Sequence, residues 1–206
     1  MNNNIIPFPK NVKIQSTKQN IEIEFFSDED LTMIFDFIKN KIETDKKKSD
    51  YHRRYLLLCK TLLRTGARID EALQLKPSDI NLDLNTITLI TLKKRKDSKR
   101  TIPLHPELKD HIMNYFLNFN ISPRSQELIF SMKRQAVDLY FKKMQNQLNI
   151  RIHAHKFRHT FGVRAVLDHV PLSVLQEWLG HSSIFTTSIY TQITGMNTNM
   201  FMNQIH

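Results

Sequence analysis

The amino-acid sequence predicts an α+β domain, mainly α-helical, with a small antiparallel β-hairpin set among the helices. Three observations predict it. Apolar residues recur at helical spacing along most of the 206-residue chain. Residues 86–92 and 99–104 are instead rich in Thr, Ile and Leu, the composition of a strand pair. The overall balance, 40% hydrophobic against 24% charged, is that of a globular domain able to bury a sizeable core.

Residues 1–26 read as a basic, extended arm, with two prolines and no acid before Glu22. Ser27 opens a capping box with Asp30, and Leu31, Ile34, Phe35 and Ile38 follow on one helical face. Residues 41–50 form a charged connector. The apolar run 55–63 marks a buried second helix, which Thr65-Gly66 breaks. A short helix then carries Arg68, Glu71 and Ala72 before Pro77-Ser78-Asp79 turns the chain into the hairpin, whose tip is basic. Pro106 opens the next helix, with Leu108, Ile112, Tyr115, Phe116 and Phe119 inward, and another spans 134–148. Helices over 154–168, 171–178 and 183–192 follow, the middle one ended by Gly180. Residues 27–206 thus read as one domain with a C-terminal tail.

Thirty basic against 20 acidic residues leave a net charge of +10. Such an excess favours a polyanionic partner, because neutralising phosphates dominates nucleic-acid affinity. The lone Cys59 sits in an apolar run, so no internal disulfide can form, which suits a reducing cytoplasm. No apolar run approaches the roughly 20 residues of a membrane span, and the N-terminus lacks a signal-peptide pattern. The expectation is a cytoplasmic protein with no membrane partner.

Two arginines, several histidines and a tyrosine stand out. Arg68 follows a glycine turn, with Glu71 three residues on to hold its guanidinium. In His155-Lys156-Phe157-Arg158-His159, the residues His155, Arg158 and His159 share one side of a helix. His181 follows a helix-ending glycine, and Tyr190 lies nine residues beyond it. Taken singly, each has a plain structural reading: a solvated charge, a surface histidine, a packed aromatic. His155 and His159, at i and i+4, could also bind zinc, but the glutamate of His-Glu-x-x-His and a third ligand are missing. As a set, they are what attack on a phosphodiester uses without metal. Arginine forks pair with phosphate oxygens, imidazoles donate hydrogen bonds or move protons, and a phenol can form a covalent intermediate.

The stretches Arg-Thr-Gly-Ala-Arg-Ile-Asp-Glu-Ala-Leu, His-x-Phe-Arg-His, Leu-Gly-His-Ser-Ser and Thr-Thr-Ser-Ile-Tyr, in this order, resemble the catalytic domain of the tyrosine recombinases, the phage-integrase and Xer family. The resemblance runs from Ser27 to Gln192 and implies the catalytic-domain fold. It implies that Arg68 and Arg158 clamp the scissile phosphate, that His155 bonds it and helps deprotonate Tyr190, and that His181 donates to a non-bridging oxygen. Tyr190 would attack to form a 3′-phosphotyrosyl link, supported by Glu71. Neither metal nor any other cofactor is expected. The family's general-acid lysine comes from the hairpin turn. Counting back from Ile102-Pro103-Leu104 lands on Arg95, a poor proton donor, and one extra turn residue selects Lys94. Lys94 is therefore the expected acid, with Lys93 and Lys96 as rivals. Lys93, Arg95, Lys96, Lys99, Arg100 and His159 are expected to contact DNA.

The implied function is site-specific recombination of double-stranded DNA by copies assembled in a tetrameric synapse, with accessory proteins as further partners. The family's N-terminal core-binding domain is expected to be absent, since about 26 residues are too few for a helical bundle. Two rival readings are a type IB topoisomerase-like nicking-closing enzyme and a catalytically silent DNA-binding regulator.

Overall fold

The computed structural model describes residues 12–15, 20–91 and 98–193. The helical spacing yields α1 (Asp28–Thr44), α2 (Ser49–Thr65) and the short α3 (Ile69–Leu73). Ser27 caps α1 as expected: its hydroxyl accepts from the Asp30 N–H at 3.1 Å, and the Asp30 carboxylate accepts from the Ser27 N–H at 3.3 Å. The charged connector shrinks to one 3₁₀ turn, Lys46–Lys48, and α2 begins at Ser49, ahead of the apolar run. A charged outer face does not interrupt a helix whose other face, at His52 and Tyr55, is already buried. Gly66 ends α2 with φ +61°, its N–H donating to the Leu62 carbonyl. A Cβ there would stand 2.5 Å from the Phe161 ring, so this helix end sits directly on a later helix.

Strands β3 (Ile80–Asn81), β4 (Thr86–Thr91) and β5 (Ser98–Pro103) form an antiparallel sheet in that order. The hairpin register pairs Ile87 with Ile102 and Leu89 with Arg100. Its tip, residues 92–97, lies outside the described residues. The edge strand β3 has only two residues, too few to show any period in the sequence. Then follow α4 (Pro106–Asn118), α5 (Arg134–Leu148), α6 (Ala154–Leu167), α7 (Leu172–Leu179) and α8 (Ile184–Ile193).

The N-terminal segment differs from the extended arm expected of it. β1 (Val12–Gln15) and β2 (Asn20–Ile23) pair antiparallel, Val12 opposite Ile23, and β1 lies against α8. Each strand alternates apolar and polar residues for only four positions, a signal too short to separate from an irregular arm. Phe25 and Phe26 are fully buried, and the Phe26 N–H donates to Thr160 Oγ1 at 2.9 Å. The core therefore starts before Ser27.

α6 lies between two apolar clusters. The larger gathers α1, α2, α4, α5, the sheet and Phe157; the smaller holds Ile23, Phe25, Val163, Val166, Leu175, Leu179 and Tyr190. Being apolar on both sides, α6 carries its histidines and Arg158 at the seam between them. Among the described residues no helix is long and apolar enough to cross a membrane.

Candidate active site

The site is built around a buried carboxylate. Glu71, in the short α3, is 3% exposed and accepts from the Arg68 N–H at 2.9 Å and the Arg68 guanidinium at 3.0 Å. Arg100, reaching over from β5, forks onto both carboxylate oxygens at 3.0 and 2.6 Å, and the Thr91 hydroxyl donates at 2.6 Å. Burial alone pushes the Glu71 carboxyl up, but the bonds and charge of Arg100, with Thr91 and the Arg68 N–H, hold it at about 2. A permanently ionised Glu71 thus anchors Arg68, whose side chain remains 42% exposed and free to meet a ligand.

Arg158 is anchored differently. Only 2% exposed, it donates to the Gly66 carbonyl at 2.6 Å and the Leu179 carbonyl at 2.8 Å. Its position explains why two helices end in αL glycines here: Gly66 closes α2 and Gly180, φ +64°, closes α7, and both turns present carbonyls to Arg158 or its neighbour. Burial, then the nearby Arg68 charge, brings the Arg158 pKa down to about 10, so the guanidinium stays charged near neutral pH.

Two cavities meet at Arg68. One, of about 590 Å³, is lined by Arg68, Thr91, Lys99, Arg100 and His181 among others. The other, of about 270 Å³, is lined by Arg68, His153, His155 and Arg158 with neighbouring residues. His181 Nδ1 lies 2.9 Å from the fully buried Thr187 hydroxyl. Burial, followed by the charges of Arg158 and Arg68, lowers the His181 pKa to about 4. Burial and Arg158 lower that of His155 too. Both imidazoles are therefore neutral at pH 7, able to donate through one nitrogen and accept through the other.

Tyr190 is 2% exposed and lines neither cavity. Its hydroxyl lies 3.2 Å from Nδ1 of His159, whose ring meets that of His155 edge to face with centroids 4.3 Å apart. Burial raises the phenol to about 12, against a smaller downward pull from Arg158. The expected residues thus converge, but Tyr190 is one imidazole removed from the cavities.

Lys93, Lys94, Arg95 and Lys96 lie outside the described residues. Lys99 is exposed on the larger cavity, whereas the Arg100 guanidinium is committed to Glu71 and the Trp178 carbonyl. His159 likewise faces Tyr190. Among the described residues no group of three potential ligands gathers around His155 and His159 as a zinc site requires. Sequence reasoning missed Thr91, Thr187 and Gly162, where a Cβ would stand 2.5 Å from the Tyr190 ring. Of these only Gly162 left a trace, a glycine inside a helix, where close packing is the usual reason.

Residues 24–196 match the profile of the Phage integrase family. The chain is 32% identical over 165 residues to tyrosine recombinase XerA of Pyrococcus furiosus, covering 76% of this chain and 55% of that protein. It is 28% identical over 204 residues to a probable integrase/recombinase of Methanocaldococcus jannaschii, covering 92% and 60%. The fold matches the XerH recombinase solved with its difH substrate at TM-score 0.63 and 27% identity, covering 81% of this chain and 49% of that one. It also matches the catalytic domain of bacteriophage HP1 integrase at TM-score 0.62 and 22% identity, covering 88% and 95%. The chain spans between about half and three fifths of the length of the curated relatives it matches. This protein belongs to the phage integrase family, the tyrosine recombinases, and carries that family's catalytic domain.

Proposed function

We propose that the protein is a site-specific DNA recombinase that cleaves and rejoins duplex DNA through a 3′-phosphotyrosyl intermediate. The observation that supports it most is that Arg68, His155, Arg158 and His181, drawn from three separate chain segments, line two adjoining cavities, with Tyr190 behind them against His159. In this reading Arg68 and Arg158 hold the scissile phosphate and offset the charge that grows on its oxygens. Thr187 keeps His181 oriented so that its other nitrogen donates to a non-bridging oxygen, and His155 bonds the phosphate and relays the phenol proton. The Tyr190 oxygen attacks phosphorus, the bond to the 5′-oxygen breaks, and Lys94 supplies the proton that leaves with it as a hydroxyl. One phosphoester replaces another, so the step reverses when a 5′-hydroxyl attacks the phosphotyrosine, and no nucleotide hydrolysis is needed.

Double-stranded DNA is the proposed substrate, with further copies of the chain as partners in a synapse, acting in the cytoplasm where the DNA lies. The net charge of +10 and the exposed Lys99 beside the cavity support this partner. The test starts from DNA sites recovered by mapping the protein's genomic binding in cells. A nicked duplex carrying such a site should trap a covalent protein–DNA adduct, and Tyr190→Phe should abolish it while leaving binding nearly intact. Adduct formation by Tyr190→Phe removes this nucleophile, whereas relaxed products without strand exchange point to the nicking-closing reading.

A further inference from the structure

A separate cavity of about 770 Å³ is lined by the end of α1, the start of α2 and the end of α5. Tyr51 and His52 stand in the first turn of α2, whereas the catalytic cavities lie beyond its last residue. At about 1.5 Å per helical residue the two sites are about 20 Å apart. Four lysines line the cavity, Lys41, Lys47, Lys48 and Lys143, against Asp45 as the one carboxylate among its described residues. Tyr51 is 41% exposed and meets the rings of Tyr55 and Tyr140 edge-on, and those two stack with centroids 3.8 Å apart. His52 lines the same cavity with its side chain only 8% exposed and its Nδ1 3.0 Å from the Tyr140 hydroxyl. Its Nε2 has no hydrogen-bond partner among the described residues, and Asp45 Oδ2, at 3.7 Å, stands beyond bonding distance. Burial, only partly offset by Asp45, lowers the His52 pKa, so the ring is neutral at pH 7. The nearby carboxylate favours its proton on Nε2, leaving a buried donor without an acceptor.

Lysines without rings would make a patch for any phosphate, and rings without lysines a plain apolar contact. Their combination asks for a ligand that is anionic at one end and a flat ring at the other. Lysines hold phosphates as point charges, and an exposed tyrosine face stacks a planar base. The amides of Asn146 and Gln147, exposed at the rim, each offer a donor and an acceptor to a base edge. Between the His52 donor and the Asp45 carboxylate, a sugar hydroxyl can accept from one and donate to the other. The volume lies within the range of small-ligand sites. We propose that this cavity binds a nucleoside polyphosphate, its base on Tyr51 and its phosphates among Lys41, Lys47, Lys48 and Lys143. The molecule is bound and not converted, and its binding is separate from strand cleavage.

Isothermal titration calorimetry on the full chain without DNA tests this. ATP and GTP are the probes, and inorganic tripolyphosphate and adenosine are the two halves. A nucleoside triphosphate should bind about tenfold tighter than either half. Tyr51→Leu keeps apolar bulk but loses the stacking face, and should weaken the triphosphates about tenfold while leaving tripolyphosphate unchanged. Tyr51→Phe keeps the ring and should bind as the parent does. The double variant Lys47→Gln/Lys48→Gln, on an exposed turn, should weaken ATP and tripolyphosphate alike and leave adenosine unchanged. With Tyr51 about 20 Å from the catalytic cavities, its effect reports on this cavity and not on the arginines there. Failure of both nucleotides to bind at millimolar concentration overturns the proposal, as does tripolyphosphate binding as tightly as they do. So does parent-like ATP binding by a folded Tyr51→Leu protein or by the double lysine variant. A single-stranded oligothymidylate that displaces ATP at a lower concentration, and is itself weakened by Tyr51→Leu, also overturns it and assigns the cavity to a base of DNA.

Discussion

Arg100→Ala removes the guanidinium that forks onto Glu71 and also bonds the Trp178 carbonyl. Glu71 stays buried, with Arg68 and Thr91 as its remaining side-chain partners. Two routes size the loss. Against the upward push of burial, Arg100 and its neighbours hold the Glu71 carboxyl at about 2 instead of 4.5. At about 1.36 kcal/mol per pH unit this net hold is worth about 3 kcal/mol; Thr91 and Arg68 share it, whereas burial offsets part of it, so the two corrections to the Arg100 share run in opposite directions. Independently, removing one partner of a buried ion pair costs about 3–5 kcal/mol. Both routes place the loss near 3 kcal/mol at pH 7, about 6–12 °C in melting temperature for a chain of this length. The folded pKa lies below the unfolded one, so this contribution is complete above pH 4.5 and is lost as pH falls towards 2. The variant has less of it to lose, and its deficit should narrow on acidification. Urea denaturation at neutral pH and near pH 3.5, followed by circular dichroism, measures both. Arg100→Lys keeps the charge without the fork and should fall between the two. A deficit below about 0.5 kcal/mol at pH 7, the range of ordinary surface changes, or one that does not narrow in acid, refutes the strut.

Arg158 and Arg68, the proposed phosphate clamp, should separate by stability. Arg158→Ala and Arg68→Ala should each slow cleavage by about a hundredfold or more. Arg158→Ala should also destabilise the fold by several kcal/mol, because it strips the buried carbonyls of Gly66 and Leu179 of their donor, and Arg68→Ala by less, because Arg100 and Thr91 remain on Glu71; equal stability of the two variants contradicts this. Burial, with Arg158 or a neighbouring histidine next, holds His155, His159 and His181 below 6.5, so the unfolded chain binds more protons in acid. Melting temperature should fall as pH drops from 7 towards 4, and His159→Phe should flatten the slope; a flat parent profile removes the argument. Lys94→Ala should be slow on ordinary DNA and rescued by a 5′-bridging phosphorothiolate, whose sulfur leaves without a proton. Rescue of Lys96→Ala in its place moves the general acid along the turn.

Local signals were legible where one segment settles its own structure. The Ser27–Asp30 box, the stops at Gly66 and Gly180 and the apolar face from Leu31 to Ile38 all hold. Ordered motifs pointed to Arg68, Arg158, His155, His181 and Tyr190, the residues proposed for the chemistry. What stayed hidden is the pairing between segments. Arg100 reads as one more cation of a basic hairpin until folding brings Glu71, 29 residues earlier, against it. Arg158 reads as a phosphate clamp, yet two of its donors go to carbonyls, one of them 92 residues away. His159 and Tyr190 stand in adjacent motifs, but their contact depends on how α8 folds back over α6. Such contacts follow from packing geometry, which composition and period do not carry.

The end of α7 has a consequence for how the cations of the site are held together. Its last two carbonyls, of Trp178 and Leu179, each receive an arginine, Arg100 on one and Arg158 on the other. A helix C-terminus carries partial negative charge and is stabilised by cations, by up to about 2 kcal/mol in partly buried settings. Crowded guanidiniums repel one another unless an anion lies between them. Here the helix end and Glu71 serve as a built-in counter-anion, letting the cations stand ready without collapsing or splaying apart. An arriving phosphate then competes with an internal ligand instead of filling a bare field. Affinity for isolated phosphate groups should accordingly be modest, leaving selection of a site to the rest of the DNA contact. Repacking α7 to stabilise the fold would alter that balance, so a more robust protein made this way would also be a differently tuned one.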